Sequence, residues 1–217
     1  MPHLPAFGSR MLAKLACHPA SLDEHADRSL TLPESALHAL IVLPAGSQLP
    51  DRIPCRDQLM AVLKRRAMKI GELAKQPLAL DLPGGGRYAY VMVDPAQARF
   101  SQLSILRKAA MLLLEETPSA THVEVCAADR QLAMQLAREA LYVLWLNGAA
   151  LPVRKKKPAK PLKSIVLHGD FKSADFAAVA ALAEANTLAR ELTALPPNEL
   201  TPGNYREKVR VLAKAKG

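Results

Sequence analysis

At 217 residues, half of them apolar and 4% aromatic, the chain can bury roughly 70% of the surface its unfolded form exposes, which excludes a disordered or fibrous protein. Twenty-nine Lys and Arg against 20 Asp and Glu leave a formal net charge of +9, and no apolar run reaches the roughly 20 residues of a bilayer span. Three widely spaced cysteines, Cys17, Cys55 and Cys126, argue against a disulfide framework and for reduced thiols in a cytoplasm.

In chain order, residues 1–30 show no periodicity and are expected to be an irregular leader. Lys14 interrupts the apolar stretch before Cys17 that an export signal would need. Ala39 to Leu43 reads as a short buried strand closed by Pro44 and Gly46. Asp57 is placed to cap a helix with Leu59, Leu63, Ala67 and Ile70 on one face, stopped by Gly71. Its other face carries Lys64, Arg65, Arg66 and Lys69.

Leu78–Leu82 and Tyr88–Val93 are strand candidates joined by Pro83-Gly84-Gly85-Gly86, a hairpin signal. A phosphate-cradling loop would instead need a helix directly after the glycines. Asp94 and Pro95 are expected to open a helix through Phe100, Leu106 and Leu114 that Thr117-Pro118 ends. His122–Ala127 is strand-like. Asp129 caps the next helix, which Asn147-Gly148 closes; Tyr142 and Trp145 make its end bulky enough for packing on a sheet or an oligomer contact.

A basic, proline-bearing stretch follows, with Arg154, Lys155, Lys156, Lys157, Lys160 and Lys163 and no acid among them. Such a block is either a solvated loop or a patch for nucleic-acid phosphates. Ser164–Leu167 is a further strand, ending in His168-Gly169-Asp170. His and Asp are common acid and base residues, but no nucleophile or second carboxylate stands beside them, so the triplet reads as a strand-to-helix turn. With no Cys-x-x-Cys spacing and the six histidines falling singly, no metal site is expected within the chain. Ser173 and Asp175 open a helix through Phe176, Val179, Ala183 and Leu192, which Pro196-Pro197 must terminate. Thr201 and Pro202 then have the chemistry of an N-cap and first helical position for a last helix to Lys216, with Tyr205, Val209, Leu212 and Ala213 as its apolar stripe. The order of elements predicts an α/β fold, a mixed sheet sandwiched between helices in three layers.

Leu188 to Lys214, with its Ala189-Arg-Glu-Leu helix end, Pro196-Pro-Asn-Glu-Leu-Thr-Pro202 and Tyr205 helix, resembles the segment that leads into the catalytic domain of the leucyl (cytosol) aminopeptidase family. Ala194 departs from the pattern, standing where many relatives carry asparagine. The resemblance implies a macro-domain-like N-terminal α/β domain at 31–170, a connector helix and the start of a catalytic domain at 171–217, and a full-length hexamer. It also implies an enzyme that removes N-terminal amino acids from peptides with two divalent ions, zinc or manganese. The family's Asn-Thr-Asp-Ala-Glu-Gly-Arg ligand motif is absent, and the sequence stops at Gly217, where that domain would start. No catalytic or metal residue is therefore assigned, and this chain is expected to be inactive alone. Some bacterial members of the family bind DNA, which makes DNA the second expected partner through Lys64, Arg65, Lys69 and the 154–163 cluster.

Overall fold

The computed structural model describes residues 12–19, 37–50, 52–152 and 160–216. Six strands form one sheet: β1 (Lys14–His18), β2 (His38–Pro44), β3 (Leu78–Asp81), β4 (Arg87–Val93), β5 (Ala120–Val125) and β6 (Ser164–His168). Their order is β1-β6-β5-β2-β4-β3, with every pairing parallel except β3 with β4. Among the described residues five helices accompany them: α1 (Arg56–Arg65), α2 (Arg99–Leu114), α3 (Arg130–Gly148), α4 (Ala177–Ala194) and α5 (Pro202–Lys216). The fold is the mixed, helix-covered α/β sheet that the order of elements predicts.

Side-chain alternation on the central strands builds two cores. Leu40 and Val42 of β2 join Ala89, Val91 and Val93 of β4 in a core completed by α2, α3 and α4. Ala39, Ile41 and Leu43 point the other way, where Tyr88, Tyr90 and Met92 meet Leu59 and Leu63 of α1. A strand covered on both faces has no polar side to show, so β2 reads as an unbroken apolar run, and Ala39 to Leu43 are fully buried.

The glycines between β3 and β4 make a hairpin, as predicted. Gly85 takes φ 79°, and a Cβ on Gly86 would lie 2.8 Å from the Leu37 carbonyl oxygen. There the backbone entering β2 passes close by, and Arg87 N–H donates to that same oxygen at 2.9 Å. Those glycines serve a turn and a close backbone approach, not a phosphate.

Several expectations are corrected. Residues 14–18, within the stretch expected to be irregular, form edge strand β1, parallel to β6. Only Leu15 and Cys17 face the first core, too few for a visible alternation, and the strand is held by its partner and by Trp145 Nε1–H, which donates to the Ala13 carbonyl at 2.9 Å. The bulky end of α3 thus packs on this edge. Helix α1 stops at Arg65 rather than Ile70. Ala67 at φ 51° closes a Schellman motif in which Met68 N–H donates to Leu63 O and Ala67 N–H to Lys64 O. Ile70–Ala74 is a separate 3₁₀ turn. Cys55, not Asp57, precedes α1.

Asp94 holds a tight turn, accepting from Ala96 N–H at 3.0 Å, and α2 starts five residues later at Arg99. Strand β5 begins at Ala120 and ends at Val125, two residues before the predicted end. A 3₁₀ turn at Ser173–Phe176 precedes α4. Other caps agree with the sequence: Asp129 Oδ1 accepts from Leu132 N–H at 2.7 Å, and Thr201 Oγ1 from Asn204 N–H at 3.3 Å. Helix α4 lies against the first core through Ala183, Val179 and Ala180, whereas Tyr205 and Val209 of α5 stay about half exposed.

Candidate functional site

The chain leaves β2 across the face that carries α1 and leaves β5 across the face that carries α3. In open α/β sheets such divergence places ligands outside the carboxyl ends of the strands. Arg99, just after β4, and Asp129 and Arg130, just after β5, occupy that side. Together with Met134, Arg138 and Glu139 they line an open cleft of about 750 Å³.

Its charges are unequally committed. The Asp129 carboxylate caps α3, and Arg130 pairs with Asp170 at 2.5 Å, an interaction that lowers the Asp170 pKa and raises that of Arg130. Arg99 and Arg138 are exposed. Glu139 is 5% exposed, and its Oε2 has no hydrogen-bond partner. Burial pushes its carboxyl pKa up, while a hydrogen bond from Gln135 and the charge of Arg99 hold it down in part.

No metal-ligand or nucleophile motif marks this cleft in the sequence. A glutamate at an apolar-facing position of the α3 helical pattern was the available signal.

The His168-Gly169-Asp170 triplet is the predicted turn: Gly169 takes φ 118°, and its N–H donates to the His18 carbonyl at 2.9 Å. His168 is not alone, however. His122 Nδ1 lies 2.9 Å from His168 Nε2, and the His18 ring centroid lies 5.7 Å from that of His168. Parallel register makes this row, since His18 and Glu124 both sit opposite His168 on neighbouring strands. Residues from three distant stretches therefore meet, which linear spacing does not reveal.

His122 and His168 engage one another, and an N–H···N bond between two imidazoles occupies one lone pair, that of the accepting ring. Among the described residues no group of three or more His, Cys, Asp and Glu could hold a metal ion. Among the described residues the donors therefore do not make up a two-metal hydrolytic centre.

The expected basic contacts fall on separate elements. Lys64 and Arg65 are exposed on the last turn of α1, and Lys69 is exposed at the first 3₁₀ turn, where its backbone N–H donates to Glu72 Oε2 at 2.8 Å. Lys160 and Lys163 are exposed just before β6, with the Lys163 N–H held by Ser119 O at 2.9 Å. Arg154, Lys155, Lys156 and Lys157 lie outside the described residues.

No protein-family model matches this chain, and no curated protein matches it by sequence. Solved structures do match its fold. The apo leucyl aminopeptidase of Trypanosoma brucei is 15% identical with a TM-score of 0.61, covering 95% of this chain and 42% of its own. A tomato leucine aminopeptidase mutant is 14% identical with a TM-score of 0.61, covering 95% of this chain and 43% of its own. The bottromycin maturation enzyme BotP in complex with Mn is 20% identical with a TM-score of 0.57, covering 83% of this chain and 37% of its own. The chain thus spans about two fifths of the length of the structures it resembles. At these identities the likeness is one of fold.

Proposed function

We propose that this chain is the N-terminal, non-catalytic α/β region of a metal-dependent leucyl aminopeptidase, a hydrolase that removes N-terminal amino acids from peptides. The observation that carries the reading is a coincidence of two independent likenesses. The fold overlays nearly the whole chain on less than half of aminopeptidase chains, and Leu188 to Lys214 resembles the segment leading into that family's catalytic domain.

The junction forms a compact turn between two helices. Glu199 and Leu200 N–H groups donate to the Pro196 carbonyl at 2.9 and 3.0 Å, and Asn204 Nδ2 donates to Glu199 O at 3.1 Å, so the double proline ends in a hydrogen-bonded turn that launches α5. The exposed apolar positions of α5 would be covered by the rest of the polypeptide. In a hexameric full-length enzyme this region would be an accessory to chemistry performed elsewhere, because the described donors do not fit the two zinc or manganese ions of such an enzyme.

The test is direct. Purified 217-residue chain is assayed on leucine amide with added Mn²⁺ or Zn²⁺, and release of leucine no faster than in buffer is expected. Turnover that a chelator abolishes would place a metal centre within these residues and sink the reading.

A second reading, binding of DNA phosphates, rests on the basic clusters, whose described members Lys64, Arg65, Arg66, Lys69, Lys160 and Lys163 are exposed.

A further inference from the structure

We propose that the cleft between α2 and α3 binds a small zwitterion, a free amino acid whose ammonium group meets Glu139 and whose carboxylate meets Arg99 and Arg138. Three observations carry this. First, with Asp129 engaged in capping α3 and Arg130 paired with Asp170, the charged groups left to meet a ligand are one carboxylate and two exposed guanidinium groups, beside the neutral amides of Gln131 and Gln135. Second, Glu139 Oε2 is buried yet has no hydrogen-bond partner, and the residue lines the cleft. A buried carboxylate oxygen without a donor is unfavourable unless something supplies one. Third, one end of the cleft, at Arg99, Asp129 and Arg130, stands on the side of the sheet where β4 and β5 end.

The charge pattern selects the class. A simple anion would meet the arginines but also the Glu139 carboxylate, and a simple cation would meet Glu139 but also the guanidinium groups. A zwitterion satisfies both ends: its ammonium brings donors to Oε2, and the planar guanidinium fork fits a carboxylate with two parallel hydrogen bonds. Met134 and the arginine stems offer apolar surface for a side chain, and about 750 Å³ leaves room for one of any natural size.

The experiment is a ¹H–¹⁵N NMR titration of the whole chain with L-leucine, leucinamide, which lacks the carboxylate, and N-acetyl-leucine, which lacks the ammonium. Saturable shifts confined to the first turn of α2 and the first half of α3 are expected with L-leucine, and each analogue should bind roughly tenfold or more weakly, the loss of one charge-assisted contact. Glu139→Gln should weaken L-leucine and narrow its advantage over N-acetyl-leucine, whereas Arg138→Gln should narrow its advantage over leucinamide. Arg138 is exposed, so that variant reports even if Glu139→Gln fails to fold. The proposal is overturned by an absence of shifts up to roughly 10 mM leucine, by equal binding of the three compounds, or by either variant binding leucine as the parent does.

Discussion

Glu139 shows how one residue can lie outside the logic of the helix that carries it. Helix α3 sets Leu136, Ala140, Val143 and Leu144 into the core, and a carboxylate at a 5% exposed position among them is destabilising when ionised. Its folded-state pKa is raised, so the folded protein holds the proton more tightly than the unfolded chain does. The sign follows: this residue's contribution is most favourable below the ordinary carboxylate value of 4.5 and is lost as pH rises through the elevated folded value. Urea denaturation between pH 4.5 and pH 8 should therefore show a fall in stability with rising pH that Glu139→Gln flattens. At neutral pH the variant should be at least as stable as the parent. A variant whose pH dependence matches the parent's would mean that Glu139 is not the group responsible.

At the scale of elements, helix α1 shows how a tertiary demand overrides a pattern. Leu59, Leu63 and Ile70 recur at helical spacing, yet the chain breaks after Arg66 and places Ala67 at φ 51°. The Schellman hydrogen bonds of Met68 and Ala67 stabilise that break, and it carries Leu73 of the following 3₁₀ turn into the second core, where it is fully buried. Alanine in the left-handed region is strained by roughly 1 kcal/mol, a strain that glycine does not feel. Ala67→Gly should thus raise stability by about 0.5 kcal/mol or more despite its entropic cost in the unfolded chain, read as a higher urea midpoint at unchanged slope. A lower midpoint would show that the strain is relieved in some other way.

The same scale accounts for what was readable along the chain. Elements with local signatures were legible: β2 as an apolar run, the Gly84–Gly86 hairpin, the Asp129 cap, and the Pro196–Pro202 junction. Edge strand β1 was not, because its pairing with β6 joins residues about 150 positions apart in the sequence, Lys14 with Ser164 through His18 with His168. The candidate cleft was equally hidden, since Arg99 and Glu139 meet only after α2 and α3 have packed.

At the scale of the molecule, a net charge of +9 is distributed over elements that the fold keeps separate. Lys64 and Arg65 ride on α1, over the β2–β4 half of the sheet, while Lys160 and Lys163 precede β6. Should DNA bind through these residues, each phosphate contact contributes about −0.9 to the slope of log affinity against log salt, so six contacts give roughly −5. Fluorescence anisotropy of a labelled duplex across a salt series measures that slope. Charge reversal at Lys64 and Arg65 should reduce it by about two, and binding that does not respond to salt would remove the reading.

What the sequence determined by itself is what depends on neighbours along the chain. Apolar runs, caps, glycines and prolines set the elements and their order, hence the α/β class, and the motif from Leu188 to Lys214 carries a family resemblance that short-range residue order can express. What only the tertiary structure decided is everything set by strand register and helix packing. Parallel pairing brought His18, His122 and His168 into one row, with His122 Nδ1 within hydrogen-bond distance of His168 Nε2. The packing of α3 against α2 buried one carboxylate oxygen of Glu139 without a partner in a residue that lines a cleft, because burial there is set by helix contacts and not by neighbours along the chain.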